Sequence, residues 1–446
     1  MSTTSSKFGK QFEDTFDERK DKMSNSKYQF KPRQRKDLPI YKHRHEIIDK
    51  INNNPVVVLT GKIFYLFQIL SDKLTIGFLL GSTGCGKSTQ IPQYIIDDAN
   101  ERNEPCRIIV TQPRKIAAIT IAQRVAKERN CELGTMVGYQ VGLNKKVNES
   151  ENIETKLLFC TTGVILSKLV LAKEMNKYTH IILDEVHERD IDMDFLLIVV
   201  KRLLALNSKN TKVILMSATV DAKMFANYFS YEMNGIFGPA KVFNLDPCMN
   251  YEVTFDYLEN LQFTKYTEAV VDYMDPKITD EMYFIAQRVV MVTLRTIRHT
   301  MNNALEAPSI LVFLPGIHEI EHFHRLLKGN DEIESNSKIC VLHSTLSTQE
   351  QKIAFTSTTT PKIILSTNIA ESSVTIPDIE YVVDFCLTKY LTTSVGSNIS
   401  SLQTDWASKQ NCEQRAGRVG RVSPGRVYRL VHKYFYEVSA FTLRLS

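Results

Sequence analysis

Paired cysteines, Cys/His clusters and long apolar segments are all missing from this sequence of 446 residues. Its eight cysteines stand singly, without a CxxC pair, so neither a zinc motif nor a disulfide framework is predicted. The amino terminus lacks the apolar core of a signal peptide, and each later apolar run is short or carries charge. We therefore expect a globular, cytosolic or nuclear protein with reduced thiols and no membrane partner.

A strong net charge is missing as well. Lys and Arg total 55 against 50 for Asp and Glu, and the resulting net charge of +5 permits a nucleic-acid partner without requiring one. Residues 1–37 are polar, end in the basic run Lys31–Lys36, and lack the apolar side chains that would offset the entropy of ordering. We predict a disordered tail there. We favour a tail that is merely solvated. RNA binding and nuclear import by the basic run are the alternatives.

Short β-branched runs alternate with helical patterns from Leu38 onward. Nearly continuous apolar strands separated by helices predict parallel sheets covered on both faces. The clearest runs form two groups, at 107–111, 180–184 and 212–216, and at 310–314, 362–366 and 381–384. The prediction is an α/β protein with one lobe at residues 38–237 and a second at 238–446, the latter with an insertion at about 258–305.

A glycine-rich segment matches the phosphate-binding pattern GxxxxGK[ST] and follows the apolar run Thr75–Leu80. Glycines let backbone N–H groups surround phosphates, Lys87 would pair with the β and γ oxygens, and the Ser88 hydroxyl would bind Mg²⁺. The following helix adds positive potential at its amino terminus. An ordinary glycine turn with a surface lysine is the alternative. The predicted nucleotide-binding residues are Gly81, Ser82, Thr83, Gly84, Cys85, Gly86, Lys87, Ser88 and Thr89.

An acidic pair, Asp184 and Glu185, follows the buried run Ile181–Leu183. Carboxylates at the end of a parallel strand that face a phosphate loop suit nucleotide hydrolysis. Asp184 would hold the Mg²⁺, and Glu185 would orient and deprotonate the attacking water. By themselves they could be two solvated carboxylates. Beside a phosphate loop, they predict a nucleoside triphosphatase.

Further motifs follow in order and resemble those of the DEAH-box RNA helicases over about residues 38–432. Asp184–Arg189 reads DEVHER, with Val in place of the Ala of the DEAH signature. The other matching segments are Thr111–Arg114, Cys160–Gly163, Ser217–Thr219, Leu311–Gly316, Ser366–Ser373 and Gln414–Arg421. The resemblance implies two tandem RecA-like lobes of the P-loop NTPase kind, ATP and Mg²⁺ as cofactors, and single-stranded RNA as a partner.

The resemblance also implies roles for individual residues. Arg418 and Arg421 would act as arginine fingers when the lobes close, and Gln414 would help to position the attacking water. Hydroxyls and amides can grip the RNA backbone without reading bases. Capping hydroxyls, surface ion pairs and a core phenylalanine are the alternatives. The implied sets are catalytic residues Asp184, Glu185, His187, Gln414, Arg418 and Arg421; RNA contacts Arg114, Thr162, Gly163 and Thr367; coupling residues Ser217 and Thr219; and base-stacking residues Phe355 and Arg124.

Within this family the sequence most resembles the Tudor-domain helicases typified by spindle-E. The likeness rests on residues 184–197, Phe385–Lys389 and Trp406–Lys409. It implies a role in piRNA-mediated transposon silencing in the germline, with proteins of a small-RNA silencing complex as partners. It also implies a location at perinuclear cytoplasmic granules, with the nucleus as the alternative.

Residues 62–81 depart from the family pattern, because they separate the strand Val56–Gly61 from the phosphate loop. Removing them restores a continuous motif, and glycine stands at both ends of the junction. We interpret the stretch as a retained intron or gene-model error, which uniform inclusion of its codons in transcripts would contradict. If the stretch is translated, Val56–Leu59 and Thr75–Leu80 compete for one strand position.

The other departure is the end at Ser446, before the further domains that family members carry. We expect weaker RNA retention and poorer unwinding than in a longer relative. Two other functions stay open beside an RNA-translocating helicase. One is a nucleotide-gated RNA clamp or assembly platform with little unwinding, and the other is a general splicing or ribosome-assembly helicase.

Overall fold

A computed structural model describes the chain between residues 38 and 438, so the predicted disordered tail lies outside the described residues. Within that span the description omits residues 62–63, 71–72, 80–85, 151–152, 209, 218–221, 234–235, 246–250, 262–270, 272, 301–306, 344–352, 357, 372–375, 377, 394–399 and 421–422.

The strands follow the chain order. They are β1 (Val56–Gly61), β2 (Phe64–Leu70), β3 (Lys73–Leu79), β4 (Ile108–Gln112), β5 (Val137–Val141), β6 (Asn144–Lys146), β7 (Glu149–Ser150), β8 (Ile153–Glu154), β9 (Leu157–Thr161), β10 (His180–Leu183), β11 (Lys212–Ser217), β12 (Tyr231–Met233), β13 (Ile236–Gly238), β14 (Lys241–Leu245), β15 (Val253–Tyr257), β16 (Ser309–Phe313), β17 (Lys338–Leu342), β18 (Lys362–Ser366), β19 (Ile379–Asp384), β20 (Leu387–Thr393), β21 (Ser400–Trp406) and β22 (Gly425–Arg429).

The helices are numbered in the same way. They are α1 (Arg44–Asn53), α2 (Lys87–Glu101), α3 (Lys115–Glu128), α4 (Thr162–Ala172), α5 (Ile191–Leu206), α6 (Ala222–Tyr228), α7 (Asp280–Thr300), α8 (Ile317–Lys328), α9 (Asp331–Asn336), α10 (Lys409–Ala416) and α11 (Lys433–Val438), with short 3₁₀ helices at Pro39–His43, Val186–Glu188, Leu258–Asn260, Ile353–Phe355 and Asn368–Ala370. Among these helices, none is both long and apolar enough to cross a membrane.

The first lobe is built on a sheet whose described strands lie in the order β14, β1, β11, β10, β4, β9, β5, β6. Neighbouring strands are parallel except at the β5–β6 hairpin. Every residue of β4 and β10 is buried. Ile108 packs in the apolar cluster on one face and Ile109 in the cluster on the other, because successive strand residues point to opposite faces. The predicted parallel sheet with two covered faces is thus confirmed.

The second lobe repeats this design. Its described strands lie in the order β15, β22, β19, β16, β18, β17, and all neighbouring pairs are parallel. β16 and β18 are buried throughout, as their continuous apolar runs predicted. The two lobes therefore match the predicted pair of RecA-like folds.

The division between the lobes differs in detail from the prediction. β14 pairs with β1, so the first sheet contains residues 241–245 and extends past the predicted boundary near residue 238. Much of the predicted insertion at about 258–305 is α7, which packs against β19 and α8. Its buried face carries apolar residues such as Met282 and Ile285, so this helix covers the second sheet.

The stretch at 62–81 contains a hairpin. β2 and β3 pair antiparallel with each other, from Phe64 opposite Leu79 to Leu70 opposite Lys73, and form a separate two-stranded sheet. β1 occupies the position between β11 and β14 in the central sheet. The competition for one strand position is thereby resolved in favour of residues 56–61. Residues 75–79 of the other candidate run lie in β3, which pairs with β2 outside the central sheet.

Candidate functional site

Lys87 begins α2 at the carboxyl edge of the first sheet. Gly86 precedes it with φ of +99°, a left-handed conformation that glycine adopts without strain. A Cβ at Gly86 would also crowd Leu38 and Ile40, at 3.2 and 3.3 Å. Lys87 is 8% exposed, and its Nζ donates a hydrogen bond to the Ser217 carbonyl oxygen at 3.2 Å. The lysine and the amino-terminal end of the helix dipole thus create a positive site beside β11.

Part of the predicted phosphate loop lies outside the described residues. This applies to Gly81, Ser82, Thr83, Gly84 and Cys85, and also to Thr219 and Arg421. Their roles stay predictions.

Asp184 stands at the end of β10 and is 2% exposed. Gln112 donates to its Oδ2 at 2.6 Å, the Glu185 N–H donates to its Oδ1 at 2.9 Å, and the Ser88 hydroxyl also bonds to this carboxyl group. Burial, followed by the charge of Glu185, raises the pKa of Asp184 to about 7. A hydroxyl and a carboxylate that meet in a buried site form an oxygen donor set that fits Mg²⁺.

Glu185 has a left-handed backbone, with φ of +55°, which is strained for a residue with a side chain. Burial, followed by the neighbouring Glu188, raises the pKa of Glu185 to about 7, although the charges of Lys87, Arg418 and Arg114 act against this shift. A carboxylate that ionises near neutral pH suits a general base. The arrangement therefore supports the predicted role of Glu185.

The raised pKa of Glu185 has a consequence for stability. The Glu185 carboxyl group ionises at a lower pH in the unfolded chain than in the folded protein. Its contribution to the free energy of unfolding is therefore fully present below that lower pH and is lost as pH rises through about 7. We expect Glu185→Gln to remove this loss and to raise the free energy of unfolding at pH 8 by on the order of 2 kcal/mol. Urea unfolding of the nucleotide-free protein at pH 5 and pH 8 measures this free energy.

An exposed glutamate in the same lobe provides the control. Glu104→Gln should leave the pH dependence as it is in the wild type, since the exposed Glu104 carboxylate pairs with Arg102 on the surface. A Glu185→Gln variant whose stability falls between pH 5 and pH 8 as steeply as the wild type would show that Glu185 is not held neutral by the fold.

His187 and Gln414 connect the two lobes. The His187 side chain is 3% exposed, and burial lowers its pKa to about 4, so it is neutral at neutral pH. Gln414, on α10, donates from Nε2 to His187 Nε2 at 2.8 Å. His187 Nε2 also lies 3.5 Å from the Glu185 carboxylate. The structure thus brings three predicted catalytic residues together from opposite lobes.

Arg418 lies on the second-lobe side of the same cleft. It is 4% exposed, and its Nε donates to the Glu371 carbonyl oxygen at 3.1 Å. Its charge lowers the pKa of Glu185, so the guanidinium acts on that carboxylate from the second lobe. Arg418 therefore lies at the seam, and its action as an arginine finger stays a prediction.

Arg114 also bridges the lobes. Its Nη1 donates to the Asn368 carbonyl oxygen in the second lobe, and its Nη2 lies 3.6 Å from the Glu188 carboxylate. These contacts tie the segment that follows Glu185 to the other lobe. The predicted contact of Arg114 with RNA stays a prediction.

An open groove of ≈ 560 Å³ crosses the first lobe and contains Thr162 and Gly163. Thr162 is 3% exposed, and its hydroxyl has no hydrogen-bond partner among the described residues. A Cβ at Gly163 would come within 2.8 Å of the Asp192 carboxylate, so glycine keeps the groove open. The groove is lined by Pro113, Lys115, Gln140, Gly142, Thr161, Thr162, Gly163, Val164, Ser167, Lys168, Leu171, Asp190 and Asp192.

The remaining predicted residues lie elsewhere. Thr367, 7% exposed, precedes the 3₁₀ helix Asn368–Ala370 in the second lobe, and its side chain makes no capping hydrogen bond there. Phe355 is partly buried against the second-lobe core, and Arg124 pairs with Glu128 at 3.0 Å. The contacts of Phe355 and Arg124 fit the structural alternatives, and the RNA-binding and base-stacking roles stay predictions.

Sequence reasoning missed several residues of the site. Gln112 donates a hydrogen bond to Asp184 and belongs to the segment Thr111–Arg114. Its position at the end of a strand was the signal that could have indicated a place in the site. Arg415 forms ion pairs with Glu371 and Asp384 at 3.1 and 2.8 Å. Lys115, Gln140 and Lys168 are far apart in sequence, and folding of the chain brings them to the groove.

Both lobes match known protein families. Residues 45–226 match the family described as DEAD/DEAH box helicase, and residues 292–423 match the helicase conserved C-terminal domain. The first match contains the Lys87 and Asp184 site, and the second contains Gln414 and Arg418.

Similar sequences occur among curated proteins. The chain is 49% identical over 410 residues to "Probable ATP-dependent RNA helicase spindle-E" of Culex quinquefasciatus, a match that covers 90% of this chain and 28% of that protein. It is 46% identical over 421 residues to the Aedes aegypti protein of the same name, covering 92% of this chain and 29% of that protein. The chain thus spans less than a third of the length of these relatives.

Proposed function

We propose that this chain is an ATP-dependent RNA helicase of the DEAH-box kind, one of the DEAD/DEAH box helicases whose family residues 45–226 match. The observation that carries the proposal is the meeting of Lys87, Asp184 and Glu185 with Gln414 and Arg418 across the cleft between the lobes. Such a two-sided site hydrolyses nucleotide only when the lobes are together, so hydrolysis can drive their movement.

The side chains have separate tasks in this proposal. ATP with Mg²⁺ supplies the phosphoanhydride bond whose hydrolysis releases energy. Ser88 and Asp184 would hold the metal ion, and Lys87 would bind phosphate oxygens. Glu185 takes a proton from the attacking water, while Arg418 stabilises negative charge on the transferred group. His187 and Gln414 keep the two lobes in register around these groups.

In this arrangement one contact can couple ATP hydrolysis to the movement of the lobes. The Nζ of Lys87 bonds to the carbonyl oxygen of Ser217, at the end of β11. A change in the phosphates that Lys87 holds would therefore alter its contact with the segment that begins at Ser217. We propose that this segment, including Thr219, transmits hydrolysis to the lobes.

The first-lobe groove is the proposed RNA path. Lys115 and Lys168 supply positive charge for phosphates, and Thr162 supplies a buried hydroxyl that has no partner among the described residues. Gly163 allows a close approach of the backbone. The groove is open to solvent, which suits a strand that is held by its backbone without base readout.

Thr162→Val tests this assignment. We expect binding of single-stranded RNA to weaken by about tenfold, the equivalent of one hydrogen bond to a charged phosphate. Thermal stability should stay unchanged, because the hydroxyl has no partner among the described residues to lose. Fluorescence anisotropy with labelled RNA measures the affinity.

Thr120→Val is the matched control. Its hydroxyl bonds to the Ile116 carbonyl within α3, away from the groove, so RNA affinity should be retained. If Thr162→Val binds RNA as tightly as the wild type, the groove is not the RNA path.

A finer proposal concerns the biological role. We propose that the chain acts in piRNA-mediated silencing of transposons in the germline, with proteins of a silencing complex, at perinuclear cytoplasmic granules. Support comes from the similarity to helicases named spindle-E. Imaging of the tagged protein in germ cells tests the location, and a nucleoplasmic signal would favour a general splicing or ribosome-assembly helicase.

Strand displacement separates the helicase from an RNA clamp. A helicase releases a labelled strand from a partial RNA duplex when ATP is added, whereas a clamp hydrolyses ATP without release. Robust turnover with no release, in a full-length relative, would replace the proposed activity with the clamp.

A further inference from the structure

A cluster of sulfur and oxygen ligand groups lies in the second lobe and contains none of the residues assigned to the nucleotide cleft above. Asp384 ends β19, Cys386 follows it, and Cys412 lies on α10. All three residues are fully buried. The two sulfur atoms and a carboxylate oxygen of Asp384 lie within 4.8 Å of one another.

One atom of this cluster lacks the partner that a buried polar group requires. Oδ1 of Asp384 accepts from Arg415 and from the Cys386 N–H, each at 2.8 Å. Oδ2 has no hydrogen-bond partner within the part of the chain that the structure describes. A buried carboxylate oxygen left in this state costs free energy, and an ion is one of the few groups that offsets the cost.

The backbone of Cys386 supplies a second observation. Its φ is +58°, in the left-handed region that glycine adopts freely and that strains other residues. This conformation places the thiol beside that of Cys412. Strain of this kind persists where the surrounding structure compensates for it, and ligand sites are common places for it.

The formal charges around the cluster are compatible with a divalent cation. Arg415 pairs with Glu371 and Asp384, and the buried Arg429 packs its guanidinium 3.9 Å from the centre of the Tyr436 ring. The formal charges of the two arginines and the two carboxylates cancel. If the two thiols are deprotonated, the two added negative charges match one divalent cation.

We propose that Asp384, Cys386 and Cys412 bind Zn²⁺. Two thiolates and one carboxylate are ligands that zinc accepts, while Mg²⁺ and Ca²⁺ prefer oxygen alone and Cu⁺ prefers sulfur alone. Binding forms two Zn–S bonds and one Zn–O bond and releases the two thiol protons. A small ligand such as water completes the coordination.

The proposed ion would connect the segment after β19 to α10. Because α10 carries Gln414 and is followed by Arg418, zinc would hold the second-lobe side of the nucleotide cleft in place. Burial of the site means that the ion enters during folding rather than by exchange with the native protein. The role is structural, so none of the three residues needs to touch ATP.

Metal content and a spectroscopic substitute test the proposal. The full chain, expressed in zinc-supplemented medium, should contain about one zinc ion per molecule by atomic emission. Protein expressed with Co²⁺ should show thiolate-to-metal charge transfer in the near ultraviolet and tetrahedral ligand-field bands in the visible. Both signals report the site directly and do not depend on ATP turnover.

Cys386→Gly is the decisive variant, because glycine accepts the left-handed backbone and so removes the thiol without adding strain. It should lower bound zinc at least about tenfold and abolish the charge-transfer band. Cys412→Ser should do the same. Cys340→Ala, which removes a buried thiol in β17, should leave both signals unchanged.

Three results would overturn the proposal. They are a folded wild-type protein without zinc or cobalt, zinc that is retained by folded Cys386→Gly and Cys412→Ser, and a native Cys386–Cys412 disulfide detected by mass spectrometry. The circular dichroism spectrum shows whether each variant is folded.

Discussion

Replacing Glu185 with glutamine is expected to lower ATP turnover by at least about a hundredfold while nucleotide binding survives. Glu185 is the carboxylate at the seam whose pKa of about 7 suits proton abstraction from water. Glutamine keeps the shape of the side chain but cannot accept that proton. Phosphate release at saturating ATP, measured beside the affinity for a fluorescent nucleotide, separates the two effects.

The control for this prediction is Glu104→Gln, which removes a carboxylate of the first lobe that pairs with Arg102 on the surface. Its turnover should equal that of the wild type. Unchanged hydrolysis by Glu185→Gln would remove Glu185 from the role of general base, and a loss of nucleotide binding would point to a structural role instead.

Replacing Arg418 with lysine is expected to reduce the rate of hydrolysis by about a thousandfold or more, since arginine fingers contribute that much to phosphoryl transfer. Lysine retains the positive charge but loses the planar, forked donor geometry that can bind two phosphate oxygens. The affinity for ADP should change little, because it lacks the γ-phosphate that Arg418 stabilises. Single-turnover hydrolysis measures the chemical step.

Arg418 also donates a hydrogen bond to the Glu371 carbonyl, so the lysine variant is expected to lose stability by about 1 kcal/mol. Thermal unfolding shows whether the protein remains folded at the assay temperature. Arg426→Lys, on the exposed side of β22, is the control that should hydrolyse ATP normally. A folded Arg418→Lys variant with wild-type hydrolysis would exclude Arg418 as the finger.

The parts of the fold that depend on local pattern could be predicted from the sequence. Continuous apolar runs such as Ile108–Val110 and Ile310–Val312 are typical of strands that are buried on both faces of a parallel sheet. The phosphate-binding pattern predicted the helix that begins at Lys87, and Gly86 before it has a left-handed backbone that glycine takes without strain. The chemistry of Asp184 and Glu185 followed from their place at a strand end.

Contacts between distant segments could not be predicted in this way. Nothing local indicates that Lys241–Leu245 returns to pair with β1, or that Gln414 meets His187 from the other lobe. The cysteines of the proposed zinc site are far apart in sequence, so the absence of CxxC pairs concealed them. Arg114 followed the family pattern for RNA contact, yet its position is also set by Asn368 across the cleft.

ATP turnover by the wild-type chain, measured with and without single-stranded RNA, tests the central claim most directly. The proposed hydrolytic carboxylate lies on one lobe and the arginine on the other, and the proposed RNA groove lies on the first. We therefore expect slow turnover without RNA and a saturable increase as RNA brings the lobes together. Turnover that stays the same while the labelled RNA is bound would contradict it.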